Sequence, residues 1–122
     1  MAAPNIVNVS SIYGKTMGAA IVTSAGTDII ACAADKLYKI NSIIVANVDG
    51  TNAADVHVRF YDNSASTSYH LAKEVTVPAK STLVVIGKDS PIYLNEGDEI
   101  RAGASASSDL EIIISYEELD DA

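Results

Sequence analysis

Apolar and polar positions alternate through residues 37–61 (LYKINSIIVANVDGTNAADVHVRFY) in two runs. In the first, Tyr38, Ile40, Ile44, Ala46 and Val48 share one face while Lys39, Asn41 and Asn47 take the other. In the second, Ala54, Val56, Val58 and Phe60 oppose Asp55, His57, Arg59 and Tyr61. A period of two marks strands buried on one side. Between the runs lies Asp49-Gly50-Thr51-Asn52, whose Asp-Gly pair tolerates positive φ, and the spacing predicts an antiparallel hairpin. One hairpin cannot cover its own apolar face, so the rest of the chain has to supply a second sheet.

Further strand patterns follow on both sides. Residues 15–23 (KTMGAAIVT) and 27–33 (TDIIACA) read as a first hairpin around Ser24-Ala25-Gly26. Residues 68–77 place Tyr69, Leu71, Lys73, Val75 and Val77 against His70, Ala72, Glu74 and Thr76, with Lys73 interrupting the apolar face where the strand reaches an edge or the side chain snorkels. Residues 81–86 (STLVVI) are apolar on both faces. Ile92 and Leu94, then Ile100 and Ala102, flank a corner at Asn95-Glu96-Gly97-Asp98 where Gly97 supplies positive φ and the carboxylates keep the turn wet. Residues 110–117 set Leu110, Ile112, Ile114 and Tyr116 against Glu111, Ile113, Ser115 and Glu117, and residues 118–122 read as an acidic tip. Residues 1–14 carry Ile6, Val7, Val9 and Ile12 among Asn, Ser and Gly, as an edge strand or an arm lying on another molecule does. The sum is an all-β chain: an antiparallel β-sandwich, jelly-roll-like, of about eight strands in one domain (15–122) with an extended N-terminal arm (1–14).

Composition narrows the function. The 122 residues suit one domain and carry 16 Asp and Glu against 8 Lys and Arg, a net charge of −8, which repels phosphate backbones and argues against nucleic-acid binding. No apolar run approaches a membrane span, and the N-terminus lacks a basic start and an apolar signal core. Cys32 is the single cysteine, expected as a small buried residue. His57 and His70 lie on polar strand faces and approach each other only if their strands are neighbours; no metal-ligand spacing supports them. Glu96, Asp98 and Glu99 crowd one corner without the ordered spacing of a calcium loop, and read as a solvated turn. No nucleophile or zinc-hydrolase motif occurs, so no enzyme, metal or cofactor is expected. Ile43, Val45, Val84, Ile86 and Ile113 oppose the expected core face of their strands, and apolar residues on faces that should be wet point to burial against another chain.

Four stretches carry a resemblance: residues 4–16 (PNIVNVSSIYGKT), 42–62 (SIIVANVDGTNAADVHVRFYD), 81–102 (STLVVIGKDSPIYLNEGDEIRA) and 109–119 (DLEIIISYEEL). With them the chain resembles the small β-sandwich virion structural proteins of tailed bacteriophages, particularly those of marine and cyanobacterial phages. The corner from Leu94 to Asp98 is also similar to that of tumour-necrosis-factor-like trimeric jelly rolls, which implies a trimer. The resemblance implies a capsid decoration (cement) protein: made in the host cytoplasm, bound to the outer surface of the virion shell, with the major capsid protein as partner and Asn5, Ile6, Val7, Val9 and Ile12 as contact residues. The alternatives are a tail fibre, baseplate or adaptor module, and a carbohydrate-binding module presenting Tyr61, Tyr69 and Tyr93.

Overall fold

The computed structural model describes residues 9–23 and 27–121. It contains the strands β1 (Val9–Ala20), β2 (Thr27–Ala31), β3 (Lys36–Asn47), β4 (Ala54–Asp62), β5 (Thr67–Val77), β6 (Thr82–Ile86), β7 (Ile92–Leu94), β8 (Glu99–Ala104) and β9 (Leu110–Asp121). Folded at the β4–β5 turn, the chain pairs with itself: β4 with β5, β3 with β6 and β7, β2 with β8, and β1 with β9, all antiparallel. Winding that ribbon sets β9 against β3 and β8 against β4. Two sheets result, β1-β9-β3-β6 with β7 beside β6 on the same edge of β3, and β2-β8-β4-β5. The architecture is the expected β-sandwich, its connectivity that of a jelly roll, with nine strands among the described residues.

The core lies between the sheets. Ile40, Ile43, Val45, Ile112 and Ile114 from the first face Val56, Val58, Ile100 and Ala102 from the second, with Leu94 and Leu110 closing its ends. β-branched side chains dominate it, as suits strands packed on one face.

Neither expected hairpin exists as such. β3 and β4 lie in different sheets, as do β1 and β2. The Asp49-Gly50 turn does bend the chain, but it carries it across the sandwich, so the inner faces of β3 and β4 cover one another through the core instead of pairing edge to edge. Turn residues specify a change of direction; the sheet a strand joins is decided by where its apolar face finds cover.

Face assignments change for a related reason. The β3–β9 register slips by one residue between Ile40 and Ser42. Before the bulge Tyr38 and Ile40 face inward; after it Ile43, Val45 and Asn47 do, and Ile44 and Ala46 turn outward. Ile43, Val45 and Ile86 are therefore core residues, not exposed ones. Two further slips interrupt β5 opposite β4, on either side of Val58. They bring Tyr69, Ala72, Val75 and Val77 opposite Phe60, Val58, Val56 and Ala54, and leave Lys73 exposed. Lys73 thus never interrupts an apolar face. The second slip contains Glu74 at φ 51°, a left-handed residue of the kind a bulge absorbs.

At the far end, β9 runs on through Asp121, so the residues read as an acidic tip continue the strand. Glu118 is buried there and accepts ion pairs from Lys15 Nζ (3.0 Å) and Lys36 Nζ (3.4 Å), while Lys36 also reaches Asp120 at 2.6 Å.

Candidate interaction surfaces

Of the residues expected to contact a partner, Asn5, Ile6 and Val7 lie outside the described residues, and so does most of the arm expected over residues 1–14. Val9 opens β1, backbone to backbone with Asp121, and β1 continues without a break through Gly14 to Ala20. β1 pairs with β9 on one side only, leaving along its other edge a twelve-residue row of backbone donors and acceptors that no described strand engages. Ile12 (59% exposed) and Tyr13 (49%) stand on this strand, with Lys15 the single charge along it.

The outward face of the first sheet carries an apolar row. Gly18, Ile113, Ile44 and Val84 are direct cross-strand neighbours on β1, β9, β3 and β6. Val84 (60%) and Ile113 (38%) are exposed. Of the five residues whose outward position pointed to assembly, these two keep it; Ile44 joins them through the β3 bulge.

Two of the three candidate platform tyrosines come together. Tyr69 and Tyr93 line an apolar groove of about 230 Å³ with Phe60, Leu71 and Ile92, between β7 of one sheet and the start of β5 in the other. Tyr61 is elsewhere: it lies on the outward face of β4 beneath the Arg101 guanidinium, 3.8 Å from the ring centroid.

That outward face also gathers both arginines and both histidines of the chain. Arg59 on β4 is directly opposite Arg101 on β8 and His70 on β5. The His57 and His70 rings approach to 6.1 Å between centroids. Their strands are neighbours, as a metal site would need, yet no group of three or more metal-ligating side chains occurs among the described residues. The surroundings favour the neutral ring: desolvation, then Lys73, Arg59 and His57, hold His70 below the ordinary histidine pKa.

The corner at residues 94–98 corrects the solvated reading. Asp98 is 4% exposed. Its Oδ1 accepts the backbone N–H of Asn63 (2.9 Å) and its Oδ2 that of Asn95 (3.0 Å), tying the β4–β5 turn to the β7–β8 corner. The backbone completes the clamp: Cys32 N donates to Asp98 O (2.9 Å) and Gly97 N to Cys32 O (3.0 Å). Gly97 has the expected positive φ, 86°, and a Cβ there would stand 2.5 Å from Asn63 Nδ2. Nothing in the alternation announces this buried carboxylate; the signal available is its place directly after the turn glycine, where backbone N–H groups converge.

Cys32 is buried beside the clamp, as expected, and burial pushes its thiol pKa up to about 11. Compared with protein-family models and with curated proteins, the chain matches none.

Proposed function

We propose that this chain is a non-enzymatic structural protein of a tailed-phage virion, a decoration (cement) protein that binds the outer shell and stabilises contacts between major capsid subunits. The observation that carries the reading is the open edge of β1. Long edges are ordinarily shortened, charged, bulged or covered, because an unpaired row of N–H and C=O groups is a template for an added strand. Here no described strand covers the twelve-residue edge, one lysine stands along it, and a large apolar and a large aromatic residue, Ile12 and Tyr13, are exposed in its N-terminal half. An extended capsid segment added to β1 gains main-chain hydrogen bonds along the edge, and Ile12 and Tyr13 supply apolar contact. Binding to the assembled lattice and not to free subunits then stabilises the shell by mass action.

The test is a copy-number count in purified virions, by quantitative mass spectrometry against the major capsid protein, together with binding of the purified chain to undecorated shells. The reading expects about one copy per capsid subunit, or one trimer per few subunits, and loss of shell binding in Ile12→Lys with the β-sheet circular dichroism unchanged. A few copies per particle moves the protein to the tail, and absence from virions overturns the structural role. The Tyr69–Tyr93 groove favours a second reading, carbohydrate binding on the particle surface; saturable glycan binding lost in Tyr93→Ala would support it.

A further inference from the structure

The outward face of the β2-β8-β4-β5 sheet carries both arginines of a chain whose net charge is −8. Its centre is Arg59. One cross-strand neighbour, Arg101, is already satisfied: its Nε donates to Glu99 Oε1 at 2.8 Å and its guanidinium lies over Tyr61. The other neighbour, His70, sits with His57 and Lys73 on the same side. Arg59 itself has no hydrogen bond or ion pair among the described residues, and its Nε is buried without a partner. A half-buried guanidinium flanked by a second guanidinium and two imidazoles lacks the counter-ion that such a group ordinarily finds.

The nearby acids do not supply one. Glu99 is committed to Arg101, Asp55 accepts the Thr76 hydroxyl at 2.7 Å, Asp28 faces Arg101 across the β2–β8 pair, and Glu74 stands exposed beyond His70. None of these carboxylates reaches Arg59, so its guanidinium keeps a planar fork of donors with no acid at ion-pair distance among the described residues.

We infer that Arg59 anchors a site for the side-chain carboxylate of an acidic peptide segment, supplied by a protein partner. The fork of the guanidinium matches a carboxylate bidentately. The net charge of the chain selects against polyanions, since each further negative charge on a ligand meets the repulsion of the whole molecule while only one site charge rewards it. A single carboxylate carried on an otherwise neutral backbone satisfies both conditions. The inference is independent of the virion reading, because it rests on the opposite sheet from the β1 edge.

With two arginines in the chain, the arginine Nε–Hε region of a ¹⁵N correlation spectrum holds two signals, assigned by Arg59→Gln. The titrants are acetyl-Gly-Glu-Gly-amide, its Gln counterpart, sodium phosphate and sodium chloride, all at one ionic strength. The expected result is a saturable shift of the Arg59 signal with the glutamate peptide, roughly tenfold weaker or absent with the glutamine peptide. The Arg101 signal moves little, and in Arg59→Gln, whose backbone spectrum reports on its fold, no saturable shift remains. Equal, linear movement of both signals with every titrant overturns the site. Saturation by phosphate at lower concentration than by the peptide overturns the carboxylate assignment.

Discussion

Removing the Asp98 carboxylate separates two effects that oppose each other. Asp98 is buried with no cation at ion-pair distance among the described residues, so burying its charge costs free energy that a neutral residue would recover. Against this, its two oxygens accept one backbone N–H each, from Asn63 and Asn95, and neither donor has a second acceptor among the described residues. Hydrogen bonds to charged acceptors contribute about 1.5–3 kcal/mol each. Two of them, partly coupled, outweigh the cost of desolvation, and Asp98→Ala should cost about 3–5 kcal/mol of a total near 5–15 kcal/mol. With a urea m-value of about 1.5 kcal/mol per M, the unfolding midpoint falls by about 2–3 M. Asp98→Asn decides between the effects: it removes the charge, keeps one acceptor and turns an NH₂ group toward the second backbone N–H. The hydrogen-bond argument predicts a loss of at least about 1.5 kcal/mol in Asp98→Asn. An Asn variant as stable as the parent, or more stable, would refute it and show that the cost of burying the charge outweighs the hydrogen bonds it receives.

Other buried or crowded groups give outcomes that can be checked in the same way. Asn47 is buried, donates from Nδ2 to Asn52 O (3.0 Å) and Val77 O (2.9 Å), and accepts the Asp49 N–H (2.9 Å); Asn47→Ala should lower stability by about 2–4 kcal/mol in equilibrium urea unfolding. Cys32 should resist iodoacetamide at pH 8 in the folded protein, with a rate that rises about tenfold per pH unit toward 11, whereas the urea-unfolded chain reacts as an ordinary thiol. His70 should titrate below the ordinary histidine value in a ring-proton NMR titration, and Lys73→Ala should raise it. Because its folded pKa is depressed, the unfolded chain takes up the proton first; this contribution is intact above about pH 6.5 and is lost as pH falls through the folded value, so Lys73→Ala should lessen the acid sensitivity.

The all-β class and most strand positions were legible in the alternation, because each strand buries one face and is bounded by Gly, Asp, Asn or Pro. Pairing was not. The Asp49-Gly50 turn reads as a hairpin connection, yet the residues hydrogen-bonded to β3 come from β6, β7 and β9, 40 or more positions distant along most of its length, and no local signal encodes them. Phase failed at bulges. A single inserted residue near Asn41 puts Ile43 and Val45 in the core while Tyr38 and Ile40 stay there, so the apolar set of β3 is two registers joined. A period-two reading has to assign one of them to the surface, which overstated the exposed apolar area. The row that does face outward, Ile44 with Val84 and Ile113, is set by the register after the bulge. Asp98 escaped because acidic residues at a glycine turn are usually solvated; its burial depends on the β4–β5 turn reaching over it from another part of the chain.

The β1–β9 pairing imposes an order of events on synthesis. β1 is the first described strand and β9 the last, and they match residue for residue from Ser11 opposite Asp120 to Ala20 opposite Glu111. Until β9 emerges, β1 has no strand to hydrogen-bond, and β3 lacks the neighbour that fills one of its edges. The inner β4–β5 pair can form early from nearby residues, but the first sheet has to wait for its central strand. Folding therefore finishes from the outside of the ribbon, and a chain interrupted before Leu110 lacks the core side chains Leu110, Ile112 and Ile114 and leaves the β9-facing edges of β1 and β3 unfilled, a species prone to aggregate and to be cleared.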